Sequence, residues 1–194
     1  MANKIKYGLK NVYFAVATIA NNGTATYATP VAFPGAVSLS LTANGDNPIF
    51  YADNIAYWTG NGNNGYSGTL EMAYITDDFR EKVLNEVKAE TGVYVESLNA
   101  PIVHFALLFQ FEGDDKGTRH VLYNCTASRP DVAGNTKGEQ IEPQTETINI
   151  DCKSIYNATL DIDTVKARAT EGATPYNNWF LTTVYQATTI STST

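Results

Sequence analysis

The sequence predicts a mainly β chain, a β-sandwich or barrel with one flanking α-helix at about residues 77–90. Two observations carry this. Apolar residues alternate with polar ones along most of the chain, and one segment alone carries a helical stripe. Composition supplies the exclusions. With 43% hydrophobic and 17% charged residues, the chain can enclose a core and does not have the balance of a disordered chain. No run approaches the roughly 18 consecutive apolar residues of a membrane span. A net charge of −7 argues against tight binding to a phosphate backbone.

In chain order, Val37-Ser38-Leu39-Ser40-Leu41-Thr42 alternates cleanly, which places the aliphatics on one face of a half-buried strand. Leu70, Met72 and Tyr74 alternate with Thr69, Glu71 and Ala73. Val103, Phe105, Leu107, Phe109 and Phe111 form a longer stripe, opposite His104, Ala106, Leu108 and Gln110. Gly113 to Gly117 reads as a hairpin turn, since Gly and Asp tolerate positive φ. The return strand, Thr118 to Ala127, puts Val121, Tyr123 and Cys125 on one side, and Ile148 and Ile150 mark a further strand.

The helical stripe is Phe79, Val83, Leu84 and Val87, at i, i+4, i+5 and i+8. Thr76 or Asp77 can cap it, Asp77 and Asp78 complement its dipole, Asp78 and Lys82 are an i,i+4 pair, and Gly92 follows as a stop. Two stretches read as long inter-strand loops, 43–65 and 129–143. The first holds an aromatic patch of Phe50, Tyr51, Tyr57 and Trp58 within Gly/Asn-rich flanks. The expected layout is a single domain over 1–186 with a polar tail over 187–194.

The search for chemistry yields no catalytic, cofactor or metal residues. Gly60-Asn61-Gly62-Asn63-Asn64-Gly65 matches G-x-G-x-x-G, but strand-like residues follow where a dinucleotide site needs a helix. Gly65-Tyr66-Ser67-Gly68-Thr69 lacks the last glycine and the helix of a nucleophile elbow. His104 and His120 both sit within strands, and neither has a second ligand at metal spacing. Asp114-Asp115 and Asp161/Asp163 do not continue as an EF-hand loop. Cys125 and Cys152 read as reduced, buried thiols, and no secretory signal is readable at the N-terminus.

An ordered series of segments does carry a resemblance. It runs through Tyr7-Gly8-Leu9-Lys10-Asn11-Val12, Pro34-Gly35-Ala36-Val37-Ser38-Leu39, Phe50-Tyr51-Ala52-Asp53 and Gly65 to Glu71. It continues through Asp77-Asp78-Phe79-Arg80, Phe105 to Phe109, Arg119 to Pro130, Glu142 to Thr147 and Trp179-Phe180. In these the chain resembles the major tail proteins (tail tube proteins) of the phi13-type family, from siphophages of Gram-positive bacteria. Ile155 to Asp163 departs from that pattern.

The resemblance implies a structural subunit of a phage tail and no enzyme. Hexameric rings would stack into a hollow tube that conducts DNA during ejection, with a tape-measure protein, tail terminator and baseplate proteins as partners. Localisation would be the virion tail, after assembly in the host cytoplasm, with no membrane and no cofactor. Asp46, Phe50, Tyr51, Asp53 and Trp58 are then candidates for the ring–ring interface, with Asn44 to Gly65 poorly ordered in the free subunit. Glu71 and Glu146 are candidates for acidic, lumen-facing residues. Two alternatives remain open: the tube of a phage-like bacteriocin or secretion particle, and a carbohydrate-binding β-sandwich using Tyr57 and Trp58.

Overall fold

The computed structural model describes residues 5–60, 62–136 and 143–190. Met1–Lys4, Asn61 of the glycine motif, residues 137–142 of the second expected loop, and 191–194 of the expected tail lie outside the described residues.

The main sheet is antiparallel. Its path is β2 (Ala25–Tyr27), β1 (Leu9–Ile19), β10 (His104–Phe111), β11 (Arg119–Ala127), β12 (Glu146–Lys153), β7 (Tyr66–Met72) and β4 (Ala36–Ala43). Two short strands complete it: β3 (Val31–Ala32) on β1, and β15 (Lys166–Ala169) on β11. Small hairpins stand apart: β5 (Ile49–Ala52) with β6 (Ile55–Thr59), β8 (Val87–Lys88) with β9 (Tyr94–Val95), and β13 (Ile155–Asn157) with β14 (Ile162–Thr164). The sheet curls until β4 nears β1, so its inner face closes on itself like a barrel.

That inner face holds the first core. Phe14, Leu70, Met72, Phe105, Leu107, Ile148 and Ile150 are fully or almost fully buried there. The one α-helix among the described residues, α1 (Asp77–Lys82), plugs it through Phe79, which stacks on Phe33 at 4.5 Å and meets Phe14 edge-on at 5.1 Å. The outer face of β1, β10 and β11 forms a second core. It is covered by the irregular C-terminal segment, where Trp179, Phe180 and Val184 pack over Ala106, Leu108, Val121 and Tyr123. Both faces of β10 are therefore buried, which explains its almost unbroken apolar run.

Several expectations are corrected. The helix ends at Lys82, not near residue 90, because Asn85 takes φ +59° and the Glu86 amide reaches back to the Arg80 carbonyl. Val83 and Leu84 stay buried just beyond its end, but Val87 is in β8 and is 59% exposed. At the helix N-terminus, Thr76 holds the cap position without a side-chain capping bond. In β4 a bulge between Ala36 and Ser38 throws Val37 outward, while Leu39 and Leu41 keep to the core. A bulge in β11, opposite Phe105 and Leu107, splits its stripe: Val121 and Tyr123 join the second core, Cys125 the first. β7 ends at Met72, so Tyr74 lies past the strand and is exposed.

Candidate interaction surface

Residues 44–60 and 62–65 form an arm. β4 and β7 pair as far as Ala43 opposite Tyr66, and the chain then continues outward. The Asn44 amide donates to the Gly65 carbonyl (2.9 Å) and the Asn64 amide to the Asn44 carbonyl (2.8 Å). At this neck a Cβ on Gly45 would lie 2.0 Å from the Gly62 carbonyl oxygen, and one on Gly62 would lie 2.3 Å from that of Asp46. Only glycine fits two backbones crossing so closely. Beyond the neck β5 and β6 pair from Ile49 opposite Thr59 to Ala52 opposite Ile55. The tip turns through Asp53 and Asn54 at φ +52° and +64°, the two consecutive positive values that a type I′ turn requires. Where the sequence reads as a loop the structure has a paired hairpin, and its Ile, Phe, Tyr and Trp suit strand pairing.

Its side chains are unusual for a single copy. Ile49, Phe50, Tyr51, Ile55, Tyr57 and Trp58 are 48% to 71% exposed. Asp46 and Asp53 are exposed on the same arm. All five residues expected at a ring–ring interface therefore share one projecting element. A contiguous apolar surface of this kind marks a contact site.

The two carboxylates expected to face a lumen separate instead. Glu71 points to the outer face of β7, where it accepts bonds from Thr145 Oγ1 (2.7 Å) and Ser38 Oγ (2.8 Å). These two bonds hold its carboxyl below the usual range. Around it that face carries Ser38, Ser40 and Thr42 from β4, Ser67 and Thr69 from β7, and Thr147, Asn149, Asp151 and Lys153 from β12, the last two an ion pair at 3.6 Å. Glu146 stands opposite Met72, on the core-side parity. Its carboxylate accepts from Arg80 Nη2 and from the Ile75 amide, both at 2.6 Å. Burial opposes the Arg80 charge, but Glu146 and Glu86 together raise its pKa.

The remaining candidates have other partners. Ser67 Oγ donates to Asn44 Oδ1. His104 Nδ1 lies 2.7 Å from Asn124 Oδ1, and His120 stacks on Phe109. Cys125 and Cys152 stand opposite one another, both buried and free, and burial pushes the Cys125 thiol well up. Among the described residues no group of three or more His, Cys, Asp or Glu could hold a metal ion. No described helix is long and apolar enough to cross a membrane. A cleft of about 670 Å³ opens between Leu84, Leu98, Ile102 and the sheet.

No family model matches this chain, and no curated protein matches it. Among solved structures it is similar, at 12% identity, to a chain in "Cryo-EM structure of the anti-feeding prophage (AFP) baseplate, 6-fold symmetrised". The likeness covers 87% of this chain and 97% of that one, with a TM-score of 0.45.

Proposed function

We propose that this chain is a structural subunit of a phage-type tail tube, built to polymerise with copies of itself. The arm carries this reading. A two-stranded hairpin is marginal in water by itself, and this one spends its large apolar side chains on a surface that its own chain leaves uncovered. Burying them against a neighbour supplies the driving force for association. The segment resemblance to the phi13-type tail proteins gives the rest: stacked hexameric rings in a virion tail, a tape-measure core, and a terminator and baseplate at the ends. In such a tube the outer face of β4, β7 and β12 lines the lumen, with Glu71 as its carboxylate free of a cation and Asp151 paired with Lys153. A face of neutral hydroxyls with one unpaired carboxylate and no unpaired cation among the side chains named offers the DNA phosphates no counter-charge, so passing DNA is not held.

The test is negative-stain microscopy with sedimentation at several concentrations. The wild type is expected to give rings or tubes. A variant with Ile49–Thr59 replaced by a two-glycine turn is expected to remain a folded monomer. Normal tubes from the armless variant would overturn the reading. A second reading rests on Tyr57 and Trp58, which a carbohydrate-binding sandwich would expose in the same way. A monodisperse wild-type monomer with a glycan-array signal would favour it.

A further inference from the structure

One end of the barrel is open, at the end where the arm leaves. Leu39 and Leu41 of β4, Tyr66 of β7 and Phe111 of β10 floor a pocket of about 260 Å³ there. Its rim is basic. Lys6 Nζ sits 5.0 Å from the Phe111 ring centroid, and Lys166 Nζ sits 4.5 Å from that of Tyr66. His120 also lines it, with its ring stacked on Phe109 at 5.1 Å. Burial is the main cause of a lowered His120 pKa, and the positive fields of Lys6, Lys166 and Arg168 add to it, opposed by Asp114. The mouth is therefore a locally positive site on a chain whose net charge is −7.

The arm has the opposite character. Residues 44–65 include Asp46 and Asp53 and no Lys, Arg or His. Asp53 occupies the tip, flanked by the exposed Tyr51 and Ile55. We propose that the basic mouth of one copy receives the Asp53 tip of the arm from a second copy. The inference deepens the self-assembly reading and rests on it.

Three observations select this occupant. First, two copies of an acidic chain repel on average, so contact is favoured where a positive site meets a negative one. Second, the pocket is smaller than the roughly 300–1,000 Å³ of small-molecule sites, a size suited to a turn with one or two side chains. Third, an arm's own tip does not fill the mouth. Tyr66 lines the pocket at the arm's root, but no residue of β5, β6 or the turn between them lines it, and Tyr51 and Ile55 beside the tip stay exposed. The contact is heterologous, tip into mouth, so each copy offers one of each and the association propagates.

A charge swap tests it. Lys166→Glu/Arg168→Glu and Asp53→Lys would each be made in the full chain, with circular dichroism to confirm folding. Self-association would be measured by sedimentation velocity at two salt concentrations. Each variant alone is expected to associate at least tenfold more weakly than wild type. Mixed one to one they are expected to recover, because every tip then meets a mouth of opposite sign. Added salt is expected to weaken the wild-type association. Reversals that associate like wild type, or a mixture that fails to recover, would overturn the docking and leave self-assembly standing. A wild type that stays monomeric at every concentration would overturn both. A fluorescent single-stranded oligonucleotide bound through Lys166 and Arg168, with self-association unchanged, would make the mouth a nucleic-acid site instead.

Discussion

Glu146 and Glu71 are both strand carboxylates in a polar context, yet one residue of parity separates their roles. Glu146 satisfies the Ile75 amide and neutralises Arg80, which ties the start of β12 to the approach to α1. Glu146→Ala leaves the Ile75 amide unpaired and Arg80 with Glu86 as its remaining carboxylate, so it is expected to cost about 1–3 kcal/mol in a denaturant titration. Glu71→Ala removes two surface bonds and is expected to unfold close to wild type. The bonds that depress the Glu71 carboxyl favour the native state above the unfolded carboxylate range, and that contribution is lost as pH falls through the folded value. The sequence shows the alternation that buries Ile148 and Ile150. It does not show that the same alternation turns Glu146 inward, because a carboxylate reads as solvent-facing until its cation, Arg80, is placed beside it.

At the scale of elements, the spacing of Phe79, Val83 and Leu84 marks a buried surface correctly and the length of the helix wrongly. An i, i+4, i+5 pattern is satisfied by one and a half helical turns followed by a tight exit, and Asn85 takes the left-handed conformation that makes the exit. Leu84→Asp is expected to destabilise the fold by about 3 kcal/mol or more, since it puts a charge at a buried apolar site. Val87→Asp is expected to leave the thermal midpoint unchanged, although both positions belong to the same sequence stripe. The bulges in β4 and β11 escape a sequence reading for a related reason. Periodicity reports which residues alternate, but an inserted residue reverses the faces after it without changing any residue type. The arm is the converse case. Its Gly and Asn flanks read as loop, whereas they are the neck and tip that a built hairpin demands.

For the whole molecule, the curled sheet divides its surface by chemistry: apolar arm, basic mouth, and a hydroxyl-rich face on which Asp151 is paired with Lys153 and Glu71 is not paired with a cation. The β class and the aromatic patch are legible in the sequence, because both follow from local residue types. The pairing of mouth and arm is not, because Lys6, Tyr66 and Lys166 meet only through the sheet topology. If the hydroxyl face lines a tube, Glu71→Lys with Asp151→Lys is expected to leave tube formation intact. Such tubes should retain duplex DNA at low salt and release it as ionic strength rises, read by co-sedimentation. Equal retention by wild-type and variant tubes would place that face elsewhere.

The C-terminal cover over the second core has a consequence during synthesis. Trp179, Phe180 and Val184 are the last core residues to leave the ribosome, while Ala106, Leu108 and Val121 beneath them emerge much earlier. A nascent chain therefore carries a bare apolar sheet face until residues 179–184 have emerged and packed. Truncation before Trp179 leaves that face permanently open, and such a product is a substrate for chaperones or proteases before it can ever meet another subunit.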